Sequence, residues 1–123
     1  MSVKSELYDV LRRNSSVAAL AGDRVYPLRI PLNVALPAVT YAQEESSVDR
    51  TQEGLKITQP RFKLECWGTT FDDSQALGDA VVAALDRSHP TPSIRSAQLD
   101  DDSDDVDLVA NTHVRILTFA LWI

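Results

Sequence analysis

The clearest pattern in the chain is the alternation of apolar and charged side chains over residues 61–66. Phe62, Leu64 and Cys66 form the apolar set, and each is preceded by a charged residue. A period of two is the repeat that a β-strand gives to its two faces. The sequence therefore predicts a half-buried strand here, with Cys66 facing inward as a small core residue.

The N-terminal segment has the three-and-four spacing of an amphipathic helix. The spacing is followed by Val3, Leu7, Val10, Leu11 and Asn14, and Ser2 can supply the N-cap hydroxyl. A second, short helix is predicted over Ser16–Ala21. Ser15 or Ser16 can cap its start, and Gly22 can take the left-handed conformation that ends it.

A longer helix is predicted after the alternating strand. Thr69 or Thr70 can cap it, and Asp72 and Asp73 suit the positive end of a helix dipole. Its apolar positions recur on one face and are Leu77, Ala80, Val81, Ala84 and Leu85. The helix is expected to end near Arg87, before Pro90.

The remaining apolar runs predict strands separated by polar segments. An edge strand is predicted at Val25–Pro27, because proline lacks the amide hydrogen that a central strand needs. Further strands are predicted at 38–42 with a polar extension over 43–50 and a reversal at Gly54, at 94–99, and at 111–123, the last buried on both faces. The segment Leu28–Leu36 is predicted as an exposed loop.

Grouped strands with few helices indicate the α+β class. We expect a mainly antiparallel sheet of four to five strands with two main helices packed on one face. A chain of 123 residues fits one domain, residues 1–123.

Charge and cysteine content narrow the classes of function. The formal net charge is −6, which disfavours general binding to nucleic-acid phosphate and to anionic membranes. The single cysteine excludes an internal disulfide framework. Polar residues interrupt the N-terminal segment, which therefore lacks a signal-peptide pattern, and no apolar run approaches the length of about 20 residues that spans a bilayer.

The acidic segment Asp100–Asp107 carries six aspartates and is predicted to join the last two strands. Three readings stay open: a solvated hairpin or loop, a calcium loop, or a contact surface for a basic partner. Asp100, Asp102 and Asp104 match the first positions of a calcium loop, but Asp105 and Asn111 replace its glycine and its bidentate glutamate. These carboxylates also support an alternative function as a metal-dependent hydrolase.

Other reactive side chains do not assemble into a recognisable catalytic motif. His89 and His113 are the only histidines, and no serine stands in a G-x-S-x-G motif. His113 is expected on the surface of the last strand. Trp67 and Trp122 lack an accompanying basic stripe, which favours packing or a subunit contact over base stacking.

Several segments together resemble the tail-completion and tail-terminator proteins of long-tailed phages, which join the tail to the head. The similarity lies in Val17–Pro27, Leu36–Tyr41, Arg61–Gly68, the helix after it and the apolar last strand. It implies an α+β fold, a homo-oligomeric ring, commonly a hexamer, and no catalytic activity or cofactor. The implied partners are the tail-tube protein and a head-completion or connector protein, with DNA only as passing cargo and no membrane. The implied location is the virion tail or neck, assembled in the host cytoplasm.

Polar segments too long for core packing supply the candidate contacts of such a subunit. The candidate interface or channel residues are Arg29, Asn33, Glu44, Glu45, Asp49, Arg50, Asp100, Asp101 and Asp102. A small prophage adaptor module is a further alternative.

Overall fold

A computed structural model describes residues 3–51, 54–86 and 94–122, with the backbone alone described for 45–51 and 54–59. Three helices and five strands follow one another in this part of the chain. In order they are α1 (Val3–Arg13), α2 (Ser15–Ala21), β1 (Val25–Pro27), β2 (Ala38–Thr51), β3 (Gly54–Gly68), α3 (Phe71–Leu85), β4 (Ser96–Asp107) and β5 (Thr112–Trp122).

The strands form one sheet in the order β1-β2-β3-β5-β4. β1 is parallel to β2, and the other neighbours are antiparallel. The short strand β1 and the long strand β4 are therefore the two edges. The predicted α+β class, the five-strand sheet and the edge position of Val25–Pro27 are confirmed.

The core lies between the helices and one face of the sheet. Phe62, Leu64 and Cys66 are fully buried on this face, so the predicted inward row of β3 is confirmed. Leu7, Leu77 and Val81 are among the helical side chains packed in the same cluster. Burial in this apolar layer raises the pKa of the Cys66 thiol to about 12.

Helix α2 begins at a different cap from the one predicted. The Asn14 side chain accepts hydrogen bonds from the backbone amides of Ser16 (3.0 Å) and Val17 (3.1 Å), so the prediction of Ser15 or Ser16 as the cap is wrong. Asn14 prevails because it directly follows α1 and has the extended backbone of an N-cap residue. The predicted positive φ of Gly22 is confirmed at 61°, but its ψ of −129° differs from that of the left-handed helical conformation. Ser2, the predicted cap of α1, lies outside the described residues.

Helix α3 begins where β3 ends, and the junction is tight. The Thr70 hydroxyl accepts a hydrogen bond from the Asp73 amide (3.1 Å), which confirms one of the two predicted caps. A Cβ atom on Gly68 would stand 2.7 Å from the Ser74 nitrogen, so only glycine fits this close approach. The helix ends at Leu85, and the predicted end at Arg87 lies outside the described residues.

The last two strands differ from their predicted limits. β5 is buried on both faces from Leu117 to Leu121, as predicted, and Ile123 lies outside the described residues. β4 begins at Ser96 instead of Ile94, and it continues past the predicted end at Leu99 as far as Asp107. The predicted strand at 38–42 and its polar extension are one continuous strand, β2. No described helix is long and apolar enough to cross a bilayer.

Candidate interaction surfaces

The most prominent surface feature is a two-stranded arm formed by the distal halves of β2 and β3. Ser46–Thr51 pairs with 54–60, whereas the pairing of β3 with β5 begins only at Arg61. In the described part of the chain no third strand flanks the arm. At a rise of about 3.3 Å per residue, six residues project about 20 Å beyond the sheet.

Four candidate interface residues lie on or beside this arm. Glu44 is exposed beside an irregularity in the strand pairing between Gln43 and Ser46. By backbone register Asp49 is opposite Lys56, and Arg50 is opposite Leu55. The side chains of Glu45, Asp49 and Arg50 lie outside the described residues. Gly54, where the reversal was predicted, begins β3 and pairs with Thr51 of β2.

The loop between β1 and β2 is exposed, as predicted, and its ends are fixed. The Leu28 amide donates a hydrogen bond to the Tyr41 carbonyl oxygen (2.9 Å), and the peptide bond between Leu36 and Pro37 is cis. Leu28 and Asn33 have left-handed backbone with φ of 68° and 62°. The candidate residues Arg29 and Asn33 are both exposed on this loop.

The acidic segment is an exposed strand of the β4–β5 hairpin, so the solvated hairpin is confirmed and the prediction of a loop that joins the last two strands at Asp100–Asp107 is wrong. Asp101–Asp107 pairs in register with residues 112–118 of β5, and the turn lies beyond it. An edge strand tolerates charged side chains because one side of it faces water. The charged side chains therefore keep this segment out of the core, but its backbone can still pair in the sheet.

Arg115 of β5 forms ion pairs with two carboxylates, Asp102 of β4 and Asp79 of α3. Its Nε and Nη2 atoms donate to the two oxygens of Asp102 at 3.0 and 2.8 Å, and Nη1 donates to Asp79 at 2.7 Å. Nη1 also donates to the Gln75 carbonyl oxygen at 3.2 Å. Hydrogen bonds from Arg115 lower the pKa of Asp102, and those to Asp102 raise the pKa of Arg115.

This ion-pair network was missed from the sequence although a signal was present. Arg115 stands on the same face of β5 as Leu117 and Phe119, and its side chain is only 12% exposed. A charged residue in a core-facing row needs partners. The partners are distant in sequence and could not be assigned from local patterns.

The other aspartates of β4 also have contacts within the chain. Asp100 forms a salt bridge with Arg61, and Gln75 donates to Asp104 at 2.5 Å. Asp101 and Asp105 instead accept the backbone amides of their next residues, at 3.0 and 2.8 Å. Within residues 3–51, 54–86 and 94–122, no three potential metal ligands of the His, Cys, Asp or Glu type are gathered.

Exposed apolar side chains cluster at the end of the β4–β5 hairpin. Val109 is 99% exposed at the turn, and Phe71 of α3 meets the His113 ring edge-on at 6.3 Å between centroids. His113 is on the surface of β5, as predicted, and His89 lies outside the described residues. Trp67 donates to the Thr40 hydroxyl at 3.2 Å, whereas Trp122 is partly exposed.

Comparison with protein families decides the identity of the chain. Residues 5–123 match the family described as tail completion protein gp17. The chain belongs to this family. Its resemblance to phage tail-completion proteins is thereby confirmed, and membership gives it a structural role in a phage tail, located in the virion at the tail or neck.

A solved structure supports the fold of this tail completion protein. It is a chain of the virion of a native gene transfer agent particle, 20% identical, with a TM-score of 0.81. The match covers 98% of the tail completion protein described here and 93% of the other chain. At this identity the likeness shows a shared fold. No curated protein matches the sequence.

Proposed function

We propose that the protein completes or caps the phage tail tube as a homo-oligomeric ring, a hexamer, and forms the interface between tail and head. The observation that carries this proposal is the two-stranded arm that extends past β5. A lone pair of strands is only marginally stable in water, whereas a neighbouring protein surface can stabilise it by covering it. The arm therefore fits a subunit that is completed by its neighbours.

The arm and the β1–β2 loop supply the proposed contacts. Arg29 and Asn33 on the loop, with Glu44, Glu45, Asp49 and Arg50 on the arm, are assigned to neighbouring subunits or to the tail-tube protein. A ring needs contacts between two different patches on each subunit, and closure follows from the rotation between copies. In this proposal residues 1–123 act as one domain.

Partners at the two ends of the ring follow from the same role. The tail-tube protein occupies one end and a head-completion or connector protein the other, with DNA passing through the channel. A net charge of −6 on each subunit disfavours retention of DNA through its phosphates. The engagement of Asp100, Asp102 and Asp104 with Arg61, Arg115 and Gln75 supports a non-enzymatic role for these carboxylates.

Shortening the arm tests the proposal. Residues 47–59 are replaced by Asn-Gly, which joins the paired Ser46 and Pro60 through a two-residue turn and keeps Arg61 in the main sheet. The shortened chain is expected to keep wild-type helical circular dichroism and to lose the ring in native mass spectrometry, alone and with tail-tube protein. Electron microscopy of phage carrying only this variant is expected to show unjoined heads and tails.

The exposed substitution Ala83→Ser on α3 is the control and is expected to leave rings intact. Wild-type protein that stays monomeric with tail-tube protein present would refute the ring. A shortened variant that forms wild-type rings would refute the role of the arm.

A further inference from the structure

Helix α1 and the loop after β1 carry exposed cations that form no ion pair with a described carboxylate. Lys4, Arg12, Arg13 and the loop residue Arg29 are exposed, and the described ion pairs include none of them. Lys4, Tyr8 and Arg12 follow a spacing of four and so line one stripe of the helix. The Arg12 guanidinium stands 5.8 Å from the centre of the Tyr8 ring.

The cations at the centre of the sheet are engaged within the chain. Arg61 pairs with Asp100, Lys63 with Glu65, and Arg115 with Asp79 and Asp102. The groove between α1 and β1 has mixed charge, because Asp9 and Asp23 line it together with Lys4. Arg12 and Arg13, at the end of α1, are exposed and do not line this groove.

The opposite edge of the sheet carries the complementary charge. One edge of the sheet is β1, which α1 contacts, and the other edge is β4. Asp101, Asp105 and Asp107 are exposed on β4, and among the described residues none has a cationic partner. One subunit thus presents an acidic surface and a basic surface at different places, and a head-to-tail contact between identical copies joins two different patches.

At both edges of the sheet, backbone groups that could pair with an added strand already have hydrogen-bond partners within the chain. On β4 the amides of Leu99, Asp102 and Val106 donate to carboxylates, those of Asp86 at the end of α3 and of Asp101 and Asp105 on β4 itself. On β1, Pro27 has no amide hydrogen and its carbonyl oxygen accepts the Arg29 amide (2.7 Å). These edges are protected against strand addition, so a neighbour must be bound through side chains.

We propose that the outer face of α1, centred on Arg12 and Arg13, binds the acidic β4 edge of a second copy. This interface rests on the ring proposed above and specifies the surfaces that close it. Because both surfaces are solvent-exposed charges, association is expected to weaken as the ionic strength rises and the Debye length shortens.

Charge exchange on the full-length protein tests this pairing. The double variant Arg12→Glu with Arg13→Glu is expected to place two acidic surfaces against each other at every contact. The double variant Asp101→Lys with Asp105→Lys is expected to place two basic surfaces against each other. Each double variant is expected to weaken the subunit contact by about 100-fold, measured by sedimentation and native mass spectrometry. The variant with all four substitutions restores opposite charges at each contact and is expected to recover the ring.

Asp72→Lys, at an exposed carboxylate of α3 that belongs to neither proposed surface, is the control for a change in net charge and is expected to keep the ring. Circular dichroism establishes that each variant is folded. If wild-type protein forms no ring, the proposed function fails and this interface with it. If wild-type protein forms rings but a double variant does so equally well, or the folded four-substitution variant does not, the interface alone is wrong.

Discussion

Arg115 binds Asp102 through two parallel hydrogen bonds, from Nε to Oδ1 at 3.0 Å and from Nη2 to Oδ2 at 2.8 Å. The same guanidinium reaches Asp79 and the Gln75 carbonyl oxygen on α3. A planar fork of this kind fixes direction as well as distance. It therefore connects the β4–β5 hairpin to the helix beneath it.

Asp102→Asn is expected to destabilise the fold in a pH-dependent way. Arg115 lowers the pKa of Asp102 in the folded chain, so the stabilisation is fully present above the ordinary carboxyl pKa of about 4 and is lost as the pH falls through the lowered value. Because Asp102 is partly exposed, we expect a loss of about 1 kcal/mol at neutral pH. Urea unfolding of both proteins from about pH 7 to pH 2 measures it. A difference that does not shrink on acidification would contradict the assignment.

Gly78→Ala is expected to destabilise the protein although alanine favours helices by about 1 kcal/mol. A Cβ atom at this position would stand 2.5 Å from Cδ of Arg115, whose side chain is held by its carboxylate partners. In an Arg115→Ala background the same change is expected to stabilise the protein. A double-mutant cycle of unfolding free energies measures the coupling. Equal effects in the two backgrounds would show that Arg115 does not restrict Gly78.

Asn14→Ala is expected to lower the free energy of unfolding by about 1 kcal/mol, because it removes the acceptor for two amides at the start of α2. Ser15→Ala and Ser16→Ala are the matched controls, and both residues are exposed. We expect changes within about 0.5 kcal/mol for each. A larger loss at either serine would move the cap to that residue.

Leu77→Ala is expected to lower the free energy of unfolding by about 2 to 5 kcal/mol. Leu77 is fully buried where α3 packs on the sheet, and truncation leaves a cavity there. Ala76→Ser, one residue away on the exposed side of the helix, is expected to have little effect. Thermal and chemical unfolding compare the two. Similar losses at both positions would be incompatible with the packing of α3.

The elements predicted well from the sequence are those whose periodicity reports burial on one side. The alternation ending at Cys66 placed β3 and its inward row, and the three-and-four spacing around Leu77 placed α3. The cap of α3 at Thr70 and the positive φ of Gly22 were also predicted, because each depends on the residue type at a single position.

The acidic strand could not be predicted because its stability comes from distant residues. Asp102 is held by Arg115, thirteen positions away, and Asp104 by Gln75 of α3. The acidic composition of this segment indicates only that it is exposed to solvent. Its strand conformation is decided by pairing with β5. The sequence identified which segments are candidate contacts. It could not show that α1 and β4 lie at different edges of the sheet, because that depends on the strand order.

The arm has a consequence for how related subunits diverge. Because strand side chains alternate with a period of two, removing or inserting two residues on each of its strands keeps every remaining side chain on its original face. Such changes alter the reach of the subunit while the layer beneath the helices keeps its packing. The length of this projection can therefore change in discrete steps while each remaining side chain keeps its face of the arm.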